Sequence, residues 1–485
     1  MRPCTLLPKT ITNMKKNLYG LLYCLLFVEA FVACNNSTQK ATNTESTNDQ
    51  TEQTAVQEEF IQEEPAVRVQ PSEYNPNMLT DGMLFYQVVS EEKHTMQVMG
   101  GSDNCRDVVI PLLTEIDGQK YHVVGVQYRA FTNHTGLRSV VVPAGIEFIG
   151  KHAFAGSTIS SAAIGCDYIG LNAFEKCGNL SDLTLNEGVE RINDEAFINC
   201  DLLREVHCPN TLKSIGSKAF RRLSNLTTVT LGDGLESIGE RVFEDCKSLE
   251  TVRFGSGLKQ IGTWAFVNCS RLQEVLLSTG LKSIGNGAFE GCKIMSRLQL
   301  PEGLQSMGSN AFSRCEMLEH VDIPSGIQEL GGGVFSSCKS LSSVRLPQGL
   351  TEIPRYFFSG CSNLKEIAFP NGTCVISESA FFQTGLERID LPEGVEELES
   401  DAFSYCPLKE VTLPSTIRKI SCRAFVRCDS VETVRCKAVQ VPKVSEALFN
   451  TPPISRKATL YVPASAIDTY SSTKPWNEYT EIKDL

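Results

Sequence analysis

Histidine is scarce in this chain. Six occur in 485 residues (His94, His122, His134, His152, His207 and His320), and none lies at metal-ligand spacing or beside a candidate nucleophile. That removes the usual general base and the commonest metal ligand from consideration. Positive charge is also in deficit: 45 Lys and Arg stand against 57 Asp and Glu, for a formal net charge of -12. A nucleic-acid binder needs a basic face to neutralise phosphates, so that class is excluded as well. No nucleophile–base pair, Gly-rich phosphate loop or Cys-x-x-Cys metal motif is present. One long apolar run exists, Leu18 to Val32. At about 15 residues with Glu29 inside it, it is too short to span a bilayer comfortably. No cofactor is expected.

What the chain has instead is a period. The phenylalanine of a recurrent Ala-Phe pair falls at Phe174, Phe197, Phe220, Phe243, Phe266, Phe289, Phe312, Phe335, Phe358 and Phe381, a constant spacing of 23. Phe131 to Phe154 repeats that interval, Phe154 to Phe174 is trimmed to 20, and Phe403 and Phe425 follow at steps of 22. A fixed period of this size marks a solenoid, in which each coil touches only its neighbours, and a chain of this length escapes the limit on a single hydrophobic core.

The repeat reads L-x-x-V-x-L-P-x-G-L-x-x-I-G-x-x-A-F-x-x-C. Its first part alternates with period 2, so Val and the final Leu face inward and the residue between them faces out. Pro and Gly turn the chain, as in P-E-G at 301–303 and P-Q-G at 347–349. L-x-x-I-G supplies a second short strand, and A-F plugs a corner. One coil buries too few apolar groups to offset the ordering of its backbone, so a lone coil should not fold. Stacking covers both flanks and completes a parallel ladder. These residues resemble the BspA-type leucine-rich repeat proteins of bacterial surfaces and some parasitic protists. The resemblance covers residue 130 to the end. It implies a curved, mainly β, parallel-strand array without catalytic machinery, often used for adhesion. With a period of 23 the array should comprise about 14 coils, capped at both ends.

Five segments are expected: an export signal over 1–33, a disordered acidic tether over 34–73, a strand-rich N-terminal cap over 74–129, the solenoid over 130–437 and a C-terminal cap over 438–485. Met14 is the expected true start, because M-K-K-N gives the positive end of a signal. The apolar run then closes on F-V-A-C, which resembles a bacterial lipoprotein signal and implies lipid attachment at Cys34. The Thr/Asn/Gln/Glu stretch after Cys34 cannot bury enough surface to order itself. In the cap, D-V-V-I-P and Y-H-V-V-G-V read as strands with I-D-G-Q turning between them. At the other end, Phe449 is a last periodic mark, and Trp476 and Tyr479 should cover the final coil.

Ten of the 19 cysteines follow the periodic phenylalanine by three residues: Cys177, Cys200, Cys246, Cys269, Cys292, Cys315, Cys338, Cys361, Cys406 and Cys428. Leu223 and Thr384 take the same slot elsewhere. Packing tolerates that exchange and metal or redox chemistry does not, so the slot reads as a small, buried, weakly hydrogen-bonding ladder position. A disulfide ladder is the alternative reading. Coil spacing permits it, but stacked side chains run parallel instead of facing each other. Cys208 and Cys436 read as core, while Cys105, Cys166, Cys374 and Cys422 fit no slot in the pattern.

The outward strand column offers a binding face: His207, Arg253, Asp322, Arg345, Asp390 and Arg435, with Leu276 and Gln299 among them and Arg297 in the adjacent column. Its charges are mixed and aromatics are absent. The region of Asp322, Arg345 and Asp390 is the expected contact centre. The whole reads as a monomeric, lipid-anchored cell-envelope protein of the outer membrane or cell surface. It would bind a protein or glycan, with a ligand-free structural spacer as the alternative. Cells expressing the chain are expected to incorporate labelled palmitate, and Cys34→Ala should abolish the label.

Overall fold

Val and Ile at alternating positions suit a pleated, half-buried surface, and here they form two ladders of very short parallel strands. The computed structural model describes residues 65–73, 75, 78–421, 423–444, 454 and 457–485. Cys34, the signal, Cys422 and Phe449 lie outside the described residues. The described residues all belong to the unit Glu64–Leu485.

One ladder takes the x-I segment of each coil. It runs from Gln119–Val126 through Phe148–Ile149 and successive pairs such as Ser237–Ile238 and Gln260–Ile261 to Glu329–Leu330. It resumes from Glu352–Ile353 to Lys443–Val444. The second ladder takes the x-V-x segment, for example Thr228–Thr230, Thr251–Arg253, Glu274–Leu276 and Arg297–Gln299. Register is one full repeat: Val229 pairs with Val252, and Ile238 with Ile261. Each side chain therefore lies over its own copy, and the middle valines Val206, Val229, Val252 and Val275 are buried.

The third side of the coil is a tight corner around the periodic phenylalanine. Two positions per coil adopt left-handed backbone, such as Arg241 (φ 57) and Asp245 (φ 61) flanking Phe243. This alternation points every second N–H at the next coil. Arg241 donates to the Thr263 carbonyl at 3.0 Å, Phe243 to Ala265 at 2.8 Å and Asp245 to Val267 at 3.0 Å. The N–H groups in between close on their own coil: Glu244 donates to Arg241 and Cys246 to Phe243, both at 3.2 Å. The backbone polar groups of a sharp, buried turn are thereby satisfied without regular secondary structure.

Fourteen phenylalanines, Phe131 through Phe425, form one stack with ring centroids 4.9 to 6.0 Å apart. The two widest steps have a larger residue just before the ring, although alanine steps also reach 5.5 Å at Phe403–Phe425 and 5.6 Å at Phe358–Phe381. Alanine there gives 5.1 Å for Phe243–Phe266 and 5.2 Å for Phe266–Phe289. Val242 widens the step before it to 5.6 Å, Val334 to 5.9 Å and Phe357 to 6.0 Å. The alanine is thus a spacer whose small size lets coils approach to ladder distance.

The array is longer than the repeat count implied, with about sixteen turns in place of about fourteen. Asp107–Val109, expected in the cap, pairs in parallel with Ser139–Val142 as a first rung, and Thr459–Val462 and Glu481–Asp484 add rungs beyond the expected end. The cap itself is built on antiparallel pairing of Leu84–Ser90 with Thr95–Gly101 and of Leu113–Ile116 with Gln119–Val126. Asp117 (φ 48) and Gly118 (φ 85) turn the latter hairpin. The expected tether boundary moves. Val67–Arg68 and Gln70–Pro71, placed in the tether by composition, are strands joined to the cap, with Val69 buried between them. At the far end Trp476 is fully buried and its Nε1 donates to the Pro442 carbonyl at 3.1 Å. The Tyr470 hydroxyl donates to the Ala438 carbonyl at 2.9 Å.

Phe266→Ala removes a ring stacked on both sides in an array with no slack, and is expected to destabilise the fold by about 3–5 kcal/mol. Chemical denaturation followed by far-UV circular dichroism checks it.

Candidate binding face

Between two inward valines or leucines the strand residue must face solvent, so the second ladder, which is divided into four successive sheets, carries an outer surface. The structure arranges its charges unevenly. His207 is exposed, with Nε2 3.1 Å from a Glu205 carboxylate oxygen. Asp322 and Arg345 share a rung (register Asp322↔Arg345) and form an ion pair at 3.1 Å, with His320 Nε2 3.0 Å from the same carboxylate. Arg435 pairs with Glu410 and lies 5.6 Å over the Tyr461 ring. Arg388 engages Glu410 too, at 3.2 Å. Asp390 is exposed on Arg388–Asp390, which does not pair with Ser343–Arg345. The expected contact centre of Asp322, Arg345 and Asp390 is therefore not one cluster. Two of its members neutralise each other and the third stands apart.

A different stretch of the same face is unspent. Arg253, Leu276 and Gln299 fall on one line across three strands, and Thr251, Glu274 and Arg297 on the next. Leu276 is 60% exposed, more than any other leucine on this ladder face. Val275, Leu276, Arg297, Leu298 and Gln299 line a shallow depression there. Among the described residues, neither Arg253 nor Arg297 forms an ion pair, unlike Arg345, Arg388 and Arg435. The sequence signal was a leucine in a column that, from Thr184 to Arg435, is otherwise made of polar residues and one alanine. Its importance depends on which arginines are paired, and the sequence does not show that.

The repeat pattern described as the BspA type leucine rich repeat region matches in six copies over residues 112–221, 190–297, 295–408 and 374–471. The chain belongs to the BspA-type leucine-rich repeat family. Among solved structures it is similar to a leucine-rich repeat protein from Bacteroides ovatus, at 27% identity over 73% of this chain and 93% of that one, with a TM-score of 0.63. It is also similar to a leucine rich cell surface protein from Faecalibacterium prausnitzii, at 24% identity over 75% and 95% of the two chains, with a TM-score of 0.43. No curated protein matches the sequence.

The cysteines of this BspA-type array have a backbone task. Each of the ten thiols donates to the carbonyl of the preceding coil's phenylalanine at 3.0 to 3.4 Å. In nine of the ten that carbonyl also accepts an N–H from its own coil, Phe220 being the exception, and the thiol fills its second lone pair. Thr384 instead bonds its own coil's Phe381 at 3.0 Å. Two of the unassigned cysteines now have places. Cys105 and Cys166 are buried in slots that leucine or isoleucine occupies in other coils. Cys374 is exposed and bonds the Gly372 carbonyl at 3.3 Å. All fifteen described cysteines are free. Among the described residues no group of His, Cys, Asp and Glu is placed to hold a metal ion, and no helix is long and apolar enough to cross a membrane.

Burial pushes the Cys246 and Cys338 thiols up to about 12 from an ordinary 9.0. The unfolded chain thus gives up these protons first, and stability falls as the pH climbs from 9 toward 12. At neutral pH a maleimide is expected to label Cys374 in the native protein and spare the ladder cysteines until urea unfolds it, as read by peptide mapping.

Proposed function

We propose that this chain is a non-enzymatic binding protein of the bacterial cell envelope, lipid-anchored at Cys34, that presents its second strand ladder to a protein partner. The observation that carries this reading is the patch of Leu276 between Arg253 and Arg297, an exposed aliphatic side chain flanked by two guanidinium groups that form no ion pair among the described residues. Re-burying that leucine is worth about 1–2 kcal/mol. Unpaired arginines are favoured at the energetic centres of interfaces because they offer directional charge-assisted bonds without first breaking an internal pair. Leucine-rich repeat proteins of this family are generally scaffolds, and a surface location fits both the family and the export signal.

A glycan partner fits less well, since the only aromatic ring among the described residues of the outward column from Thr184 onward is Tyr461, which Arg435 already covers. The spacer reading has its own support in the pairs Asp322–Arg345, Arg388–Glu410 and Arg435–Glu410, which leave much of the face electrostatically self-contained.

Once a partner is captured by cross-linking on intact cells, its affinity for the purified full chain decides between these. Leu276→Ala with Arg297→Ala is expected to weaken binding about 10- to 100-fold, and Arg345→Ala to leave it nearly unchanged. Equal loss from both would displace the contact centre, and the absence of any saturable partner would favour the spacer.

A further inference from the structure

Three departures from the repeat fall on one interface, between the coil of Phe335 and the coil of Phe358. The first is a missing donor. In neighbouring coils the residue after the x-I strand sends its N–H one coil back, as Gly308 does to Ile284 and Gly331 to Met307, both at 2.8 Å. Pro354 holds that position in the Phe358 coil and has no N–H to give. Strand pairing lapses there, between Glu329–Leu330 and Glu352–Ile353, and resumes at Val375–Ile376. The second is bulk. Phe357 stands where other coils place the alanine spacer, and the Phe335–Phe358 separation of 6.0 Å is the widest in the stack. The third is a lost strand. Residues 365–369 form none, so Ser343–Arg345 pairs only with His320–Asp322, and the next strand of that ladder is Arg388–Asp390. Val344 and Ile367 are only partly buried, whereas Val229, Val252 and Val275 at the same position are buried.

What remains across this interface is the phenylalanine corner. Among the described residues its backbone bonds are Gly333 to Arg355 at 2.8 Å, Phe335 to Phe357 at 3.1 Å, Ser337 to Ser359 at 2.6 Å and Asn363 to Lys339 at 3.2 Å. Two sides of the coil are unladdered and one side is fully bonded, which is the geometry of a hinge.

We infer that the array is two cooperative blocks joined at this seam, and that it opens first here, about the Phe335–Phe358 corner. In a solenoid each coil is held only by its neighbours, so the weakest interface decides where the array divides. Local opening draws on regions with few backbone bonds and incomplete apolar burial, and this interface has both. An anchored protein under tension would yield at the seam while the Arg253–Leu276–Arg297 face stays folded in the N-terminal block.

Hydrogen exchange of the full chain, read by mass spectrometry, tests this. Peptides covering 343–369 should exchange at least about tenfold faster than those covering 228–300. Pro354→Gly with Phe357→Ala restores the repeat and should remove most of that difference. Gly262→Pro, which deletes the bond from Gly262 to the Ile238 carbonyl (2.9 Å), should create a second fast zone in a regular stretch. Uniform protection across both regions in the wild type, or a restored variant that exchanges as fast as the wild type, overturns the inference. Should the double variant fold poorly, Pro354→Gly alone decides by the same criterion.

Discussion

Every coil of this protein depends on the backbone hydrogen bonds it shares with the coil above and the coil below. Within one repeat there is almost nothing to hold the chain: strands of two or three residues, a proline–glycine turn and a corner built from left-handed residues. Each becomes stable because its N–H and C=O groups point along the axis and meet identical groups one repeat away. The corner shows the economy best. Alternate N–H groups leave for the next coil, the rest close locally, and the phenylalanine carbonyl that would otherwise keep a free lone pair receives a thiol. The cysteine ladder is a hydrogen-bonding device of the backbone, and its burial makes the thiols poor nucleophiles.

The same dependence explains why the ends differ from the middle. A terminal coil has one uncovered flank, and the two caps cover it in different ways. The N-terminal cap folds antiparallel hairpins against the first rungs, reaching back to Val67–Arg68. The C-terminal cap continues one ladder for two more rungs and then lays Tyr470 and Trp476 over the opening, their rings edge to face at 5.3 Å. It also explains how a single substitution can act at one point along the axis. A phenylalanine in place of the alanine spacer, or a proline in place of a glycine, spoils one interface and leaves its neighbours intact, which is the origin of the seam at Phe358.

Function on such a scaffold resides in what the outward column is not already using. Several charges on the face are paired with the next coil, because a one-repeat register brings residues 22 or 23 apart into contact, as in Asp322–Arg345 and Arg388–Glu410. Among the described residues Arg253 and Arg297 escape that pairing and flank the most exposed leucine of the ladder.

How far the residues alone could take the reading depends on the range of the interaction involved. Periodicity was sufficient for the solenoid, the parallel stacking, the inward and outward alternation and the phenylalanine column, because all of these repeat with the sequence and are local to one coil. Capping aromatics such as Trp476 were legible for the same reason, as the place where the repeat decays. The extra rungs at Asp107–Val109 and Glu481–Asp484 were not, since their sequences carry only fragments of the motif and join the ladder through their neighbours' backbone. Nor could the column of side chains reveal that Asp322 and Arg345 cancel while Arg253 and Arg297 do not, or that Cys166 sits in a leucine slot. Those outcomes belong to register and rotamer between coils. Only the folded stack, which sets residues a full repeat apart within a few ångströms of each other, decides them.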